Sequence, residues 1–220
     1  NLSAQALHGK LGESETSEEK AGALFVAALR ETFEEAGALL SETPPVRDTE
    51  GGPQDFHALL ATQDLRLDVQ ALHPWVRWIT PRMPSVTNRR FDTRFFMAAM
   101  PAHQTAMHDN VETTASAWLQ PREALEQYWN QTMQMAPPQI MSLAYLARHE
   151  NVASALADVR GRAPVSILPE SHDQEGQRVI CYPGDPRHSV STRALPGPTR
   201  LVWRNQRFEP DGGLSALWAD

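Results

Sequence analysis

Residues 30–37 read Arg-Glu-Thr-Phe-Glu-Glu-Ala-Gly. On a helix of 3.6 residues per turn, Glu31, Glu34 and Glu35 stand at i, i+3 and i+4 and share one face. Arg30 reaches Glu34 at i+4, which leaves two acids unmatched and repelling. A hard divalent cation, Mg²⁺ or Mn²⁺, is the natural partner, because such ions take oxygen ligands and are often held by one or two carboxylates together with substrate phosphates. The plain alternative is a solvated face whose Arg–Glu pair is worth about 0.3 kcal/mol. The exact spacing arises by chance in roughly one chain in several thousand at average residue frequencies.

The element that positions these acids is a helix over residues 18–37. Phe25, Leu29, Phe33 and Ala36 fall opposite the acidic face, so the helix is amphipathic and its buried side is set by geometry. Ser17 can cap its start, and Gly37 stands where a helix ends through a left-handed residue.

Arg30-Glu31-x-x-Glu34-Glu35-x-Gly37 resembles the second half of the Nudix box, G-x5-E-x7-R-E-U-x-E-E-x-G-U, where U is a bulky apolar residue. Ala38 takes the last U, but Thr32 occupies the first. The earlier Glu and Gly of the box would fall at positions 22 and 16, which hold Gly22 and Thr16. These departures are similar to one branch of the family, the peroxisomal coenzyme A diphosphatases of long-insert type, in which extra residues split the box. Residues 1–20 then look like the tail of such an insert, and the strand and Gly-Gly turn expected before it are not in the sequence.

Residues 88–101 carry a second likeness to that branch, in the run Arg90-Phe-Asp-Thr-Arg94-Phe-Phe96. Phe91, Thr93, Phe95 and Met97 alternate with Asp92, Arg94 and Phe96, which predicts a strand with one buried face. Arg90 and Arg94 could recognise a substrate anion through guanidinium forks; the competing use of Asp92 and Arg94 is a cross-strand ion pair on a sheet edge. Residues 112–119 read as a further strand, and Pro121 as the first residue of a helix. That order is similar to the late part of many Nudix domains. Glu112 is the candidate to join the metal cluster or act as base from outside the helix, against a simple solvent-facing role. His103 and His108 have loose metal-like spacing, with no further ligand to complete a zinc set.

Composition narrows the class. The 220 residues suit one domain with an extension, or two small ones. A net charge of −7 argues against a nucleic-acid backbone as partner, but a bound cation could still admit a phosphorylated small molecule. The single cysteine, Cys181, forbids an internal disulfide and agrees with a reducing, cytoplasmic location. No run of about 18 apolar residues predicts a membrane span.

The rest of the chain reads as a Pro- and Gly-rich loop over 41–54, short helices over 55–63 and 68–72, a strand around Trp75–Ile79, helices near 121–132, 138–149 and 151–159, and strands over 165–168, 178–182 and 200–207. The Pro183-Gly-Asp-Pro186 turn also resembles a segment of the same branch, with no chemical role that its residues reveal.

The resemblance implies an α/β/α sandwich with a mixed sheet over residues 1–150 and a C-terminal extension over 151–220. It implies a metal-dependent hydrolase of a diphosphate inside a nucleotide conjugate, with Mg²⁺ or Mn²⁺ as cofactor and coenzyme A or an acyl-CoA as substrate, split to 3′,5′-ADP and a phosphopantetheine. Glu34 and Glu35 would be direct metal ligands, Glu31 a further ligand or proton acceptor, and Arg30 would orient the cluster. Two alternatives stay open: a Nudix pyrophosphatase acting on ADP-ribose, NADH or a related conjugate, and a non-catalytic Nudix-like binding module. The partners expected are a small-molecule nucleotide diphosphate, with no nucleic acid and no membrane; the oligomeric state is left open, a homodimer being one option.

Overall fold

Two leucines decide how the chain starts. Leu7 and Leu11 stand one helical turn apart in Ala-Gln-Ala-Leu-His-Gly-Lys-Leu and both are buried. Ser3 accepts from the Ala6 amide at 3.1 Å, and Gly12 closes the helix at φ 72°. The expected insert tail is thus a helix. With only two large apolar residues, Leu7 and Leu11, in eight positions its periodicity is too thin to stand out.

The computed structural model describes residues 2–46, 55–81, 90–106 and 115–219. Its elements are α1 (Ala4–Leu11), α2 (Glu18–Ala36), α3 (Phe56–Thr62), β1 (His73–Ile79), β2 (Asp92–Met97), α4 (Pro121–Trp129), α5 (Pro137–Leu146), α6 (Val152–Arg160), β3 (Val165–Ile167), β4 (Glu170–Gln174), β5 (Gln177–Cys181), β6 (Arg200–Arg204) and β7 (Arg207–Glu209). The chain is α+β, as expected. Among the described residues no helix is long and apolar enough to cross a membrane. Its contacts divide it into two units: Asn1–Trp75, Phe96–Trp118 and Val159–Pro164 form one, and Val76–Phe95, Leu119–Asp158 and Val165–Asp220 the other.

In the first unit α2 is the organising element. Ser17 caps it by accepting from the Lys20 amide, and Gly37, at φ 65°, donates to the Phe33 carbonyl at 2.8 Å. Phe25 and Leu29 pack with Leu7 and Leu11 of α1 and with Leu40, Val69 and Leu72. Phe33 joins Leu39, Phe56 and Leu59 in a second cluster beneath α3. Gln104 clamps the Leu39 backbone from both sides, its Oε1 accepting at 2.9 Å and its Nε2 donating at 2.6 Å. Residues 68–72 are a turn, not the expected helix. Asp68 Oδ1 accepts from the Gln70 and Ala71 amides, which offers the backbone an alternative to helical bonds.

The second unit holds most of the sheet structure. One sheet has the order β2-β1-β3, with β1 and β3 parallel and Val76 opposite Val165. The other is an antiparallel meander, β4-β5-β6-β7. Its tight turns place Glu175 and Gly176 at φ 53° and 77°, and Asn205 and Gln206 at φ 49° and 61°. Two successive positive φ values suit the right-handed twist of a hairpin. The single strand expected over 200–207 is therefore two strands folded back. Tyr128 on α4 locks onto β7: its hydroxyl donates to the Phe208 carbonyl at 3.0 Å and accepts from the Phe208 amide at 2.8 Å. Arg207 stacks on Trp129 at 4.2 Å.

Two strand expectations fail locally. Residues 115–119 carry no strand, and Trp118 is largely exposed. Phe91 and Thr93, expected to face a core, are exposed because β2 lies at a sheet edge.

Candidate functional site

The last turns of α2 are built by the burial of its other face. Phe25, Leu29 and Phe33 sink into the two clusters, so residues 31, 34 and 35 must face outward. Thr32 stands where the box has a bulky apolar residue. It is half-buried, and its hydroxyl donates to the Ala28 carbonyl at 2.7 Å, which disposes of the polar group without turning the helix. Ala38, at the last apolar position of the box, is buried.

Arg30 bonds to Glu31 through Nη2, and its Nε lies 3.7 Å from Glu34 Oε2. The side chains of Glu31 and Glu34 are 51% and 46% exposed. One guanidinium therefore sits between two of the three acids, in the i,i+4 relation the sequence predicts and in an additional neighbour contact that it does not. Glu35 is exposed on the adjoining turn. Among the described residues no three His, Cys, Asp or Glu side chains gather closely enough to hold a metal ion. Glu112 lies outside the described residues, as does His108. The donor chemistry of the helix end still fits a hard cation, since the carboxylates of Glu31 and Glu34 are half in water and share the Arg30 guanidinium.

The arginines of the second stretch have defined partners. Arg94 is tied to Asp92, with Nη1 3.0 Å from both its carboxylate and its carbonyl oxygen, and only 7% of its side chain is exposed. Arg77 makes a two-pronged bond to the same carboxylate, Nε to Oδ1 and Nη2 to Oδ2, each at 2.8 Å. Hydrogen bonding from Arg77 holds the Asp92 carboxyl below its ordinary range, against a smaller opposing push from burial. Arg90 donates from Nε to the Thr80 carbonyl at 3.1 Å. Asp92 and Arg94 pair within β2, whereas the cross-strand ion pair is made to Asp92 by Arg77 of β1, which the sequence did not single out.

The turn with no derivable role proves structural. Asp185 is fully buried and accepts from Arg200 Nε and Nη2 at 2.7 and 2.8 Å, from the Arg187 amide at 2.9 Å and from the Thr199 hydroxyl at 3.2 Å. Burial pushes its carboxyl up, but these bonds outweigh it and hold the group below its ordinary value. The neighbouring Cys181 thiol is pushed up to about 11, mainly by burial and then by the Asp185 charge, so it is inert at neutral pH. Gly184 has φ 97°, and a Cβ there would lie 2.8 Å from Arg193 Cα, so no other residue fits without a shift.

Comparison with known proteins adds to this geometry. The family profile described as the NUDT19 Nudix domain matches residues 10–146. Proteins named acyl-coenzyme A diphosphatase NUDT19 are similar to the chain: the human one at 32% identity over 64% of this chain and 43% of its own length, the one from Gallus gallus at 33% over 59% and 42%, and the one from Xenopus laevis at 31% over 55% and 38%. The chain thus spans less than half the length of these curated relatives. No solved structure matches it significantly.

Proposed function

The chain belongs to the NUDT19 Nudix domain family, and on that premise we propose that it serves a metal-dependent pyrophosphohydrolase acting on coenzyme A or an acyl-CoA. The observation that carries the reading is the Arg30-Glu31-x-x-Glu34-Glu35-x-Gly37 pattern on an exposed, capped helix end inside the matched segment. The names of the relatives support the substrate class. In this reading residues 1–150 form the catalytic domain and 151–220 an extension.

Glu34 and Glu35 would hold Mg²⁺ or Mn²⁺, with Glu31 as a further ligand. When bound, such an ion polarises the diphosphate, makes a water more acidic and offsets charge on the phosphorus oxygens. Arg30 fixes the carboxylates of Glu31 and Glu34 in place, so that less rotamer freedom is lost on binding. Glu112 or Glu31 takes the proton of the attacking water. The water oxygen bonds to phosphorus as the bridging P–O bond breaks, and 3′,5′-ADP leaves with the phosphopantetheine as its counterpart. The same reading places the protein in the cytoplasm, where Cys181 stays a buried thiol.

The test is to offer coenzyme A, NADH and ADP-ribose side by side to the purified protein with Mg²⁺ or Mn²⁺. Coenzyme A should be turned over fastest. Preference for either of the others would move the assignment to another Nudix pyrophosphatase. Activity on none would favour a binding module, the reading that Gly22 and Thr16 support by breaking the front of the box.

A further inference from the structure

Three basic side chains from separate elements meet in the first unit. Lys10 lies in the last turn of α1, His73 begins β1 and Arg160 ends α6. Arg160 Nε donates to His73 Nε2 at 3.0 Å, so that nitrogen carries no proton and the imidazole is neutral with its hydrogen on Nδ1. Lys10 Nζ donates to the Gln70 carbonyl at 3.0 Å and lies 5.9 Å from the Phe25 ring centroid.

Acidic residues outnumber Lys and Arg by 27 to 20 in this chain, yet among the described residues neither Lys10 nor Arg160 forms an ion pair. The acid nearest in effect is Asp68, whose Oδ1 accepts from the Gln70 and Ala71 amides. Two cations and a neutral imidazole are therefore held together with donors unspent: the Arg160 Nη groups, the His73 Nδ1–H and two of the three Lys10 N–H bonds. Both Lys10 and His73 lie below their ordinary values. Burial is the main cause for Lys10; the Asp68 charge opposes it, and the Arg160 charge adds a smaller depression. Burial also lowers His73, and the charges of Lys10 and Arg160 push it the same way. A local positive patch on an acidic protein steers and holds an anion.

We infer that Lys10, His73 and Arg160 form a binding site for a phosphate group, either a phosphomonoester on a nucleotide or free phosphate. A tetrahedral dianion matches a guanidinium fork beside an ammonium and an imidazole N–H, and it would offset the repulsion between them. The site needs no divalent cation and uses none of the acids of α2, so it does not rest on the hydrolase reading.

The experiment is calorimetric titration of the protein in EDTA with inorganic phosphate, 3′,5′-ADP and 5′-ADP. It compares wild type with a double variant, Lys10→Met with Arg160→Gln, whose Met keeps methylenes against Phe25. Saturable binding that weakens at least about tenfold in the double variant, and with rising salt, supports the site. If 3′,5′-ADP binds well ahead of both other ligands, the phosphomonoester is the source; if phosphate binds as well as the nucleotides, free phosphate is. In parallel, the His73 imidazole resonances of the wild type should move on phosphate addition, a readout that no folding defect can imitate. Absence of saturable binding, equal affinity in the variant, or a motionless His73 at saturation would each overturn the inference.

Discussion

The end of α2 and the turn after β5 both concentrate charge, and they treat it in opposite ways. Asp185 is shut away from water and surrounded by a guanidinium fork, a hydroxyl and an amide. Glu31 and Glu34 stand half in water, share one arginine, and sit beside Glu35 on the same helix. A carboxylate whose bonds are all satisfied internally has nothing left to offer a ligand, and its removal leaves Arg200 unpaired. Carboxylates crowded on a surface cost little to keep ionised and retain free lone pairs. Stability is therefore expected to depend on the turn after β5 and activity on the end of α2.

The sharpest way to break that division is Glu34→Gln or Glu35→Gln. Turnover of coenzyme A should fall at least about a hundredfold, while the unfolding free energy changes by less than about 0.5 kcal/mol. Kinetics and a denaturant melt on the same preparation check both halves. Asp185→Ala should do the reverse and cost about 3 kcal/mol in stability, read from the denaturant midpoint.

The pH dependence sharpens the same contrast. The folded Asp185 carboxyl lies below its ordinary value of 3.8, so its contribution is complete above that value and is lost as pH falls through the lowered one. Wild-type stability should decline more steeply below about pH 4 than that of Asp185→Ala. Gly184→Ala, in the same turn, should cost about 2 kcal/mol through its positive φ and the close Arg193 backbone. Asp92→Asn is the smallest case. Its carboxylate is 42% exposed, so loss of the Arg77 pair should shift stability by less than about 1 kcal/mol in a thermal melt at low salt.

The sequence made α2 legible to within one residue of its end, because Ser17, Gly37 and the Phe25–Leu29–Phe33 repeat all mark the same helix. Pro121 announced α4 in the same way. Elements imposed by partners were not legible. β4 reads Glu-Ser-His-Asp-Gln, with no strong strand former, and is extended because β5 pairs with it along its whole length. Arg77 and Asp92 lie 15 positions apart, and only strand pairing shows that they meet. Asp185 could not be explained from its turn, because Arg200 reaches it from a strand further along the chain. Local signals fixed the helix that carries the acids, whereas knowing which charges are already matched requires the folded register.

The central claim is that the acids of α2 hold a divalent cation. Titrating Mn²⁺ into wild type and into a Glu34→Gln, Glu35→Gln double variant, with the free-ion electron paramagnetic resonance signal as readout, tests it directly. Wild type should deplete the free Mn²⁺ signal saturably and the double variant should not; equal depletion by the two proteins would contradict the account.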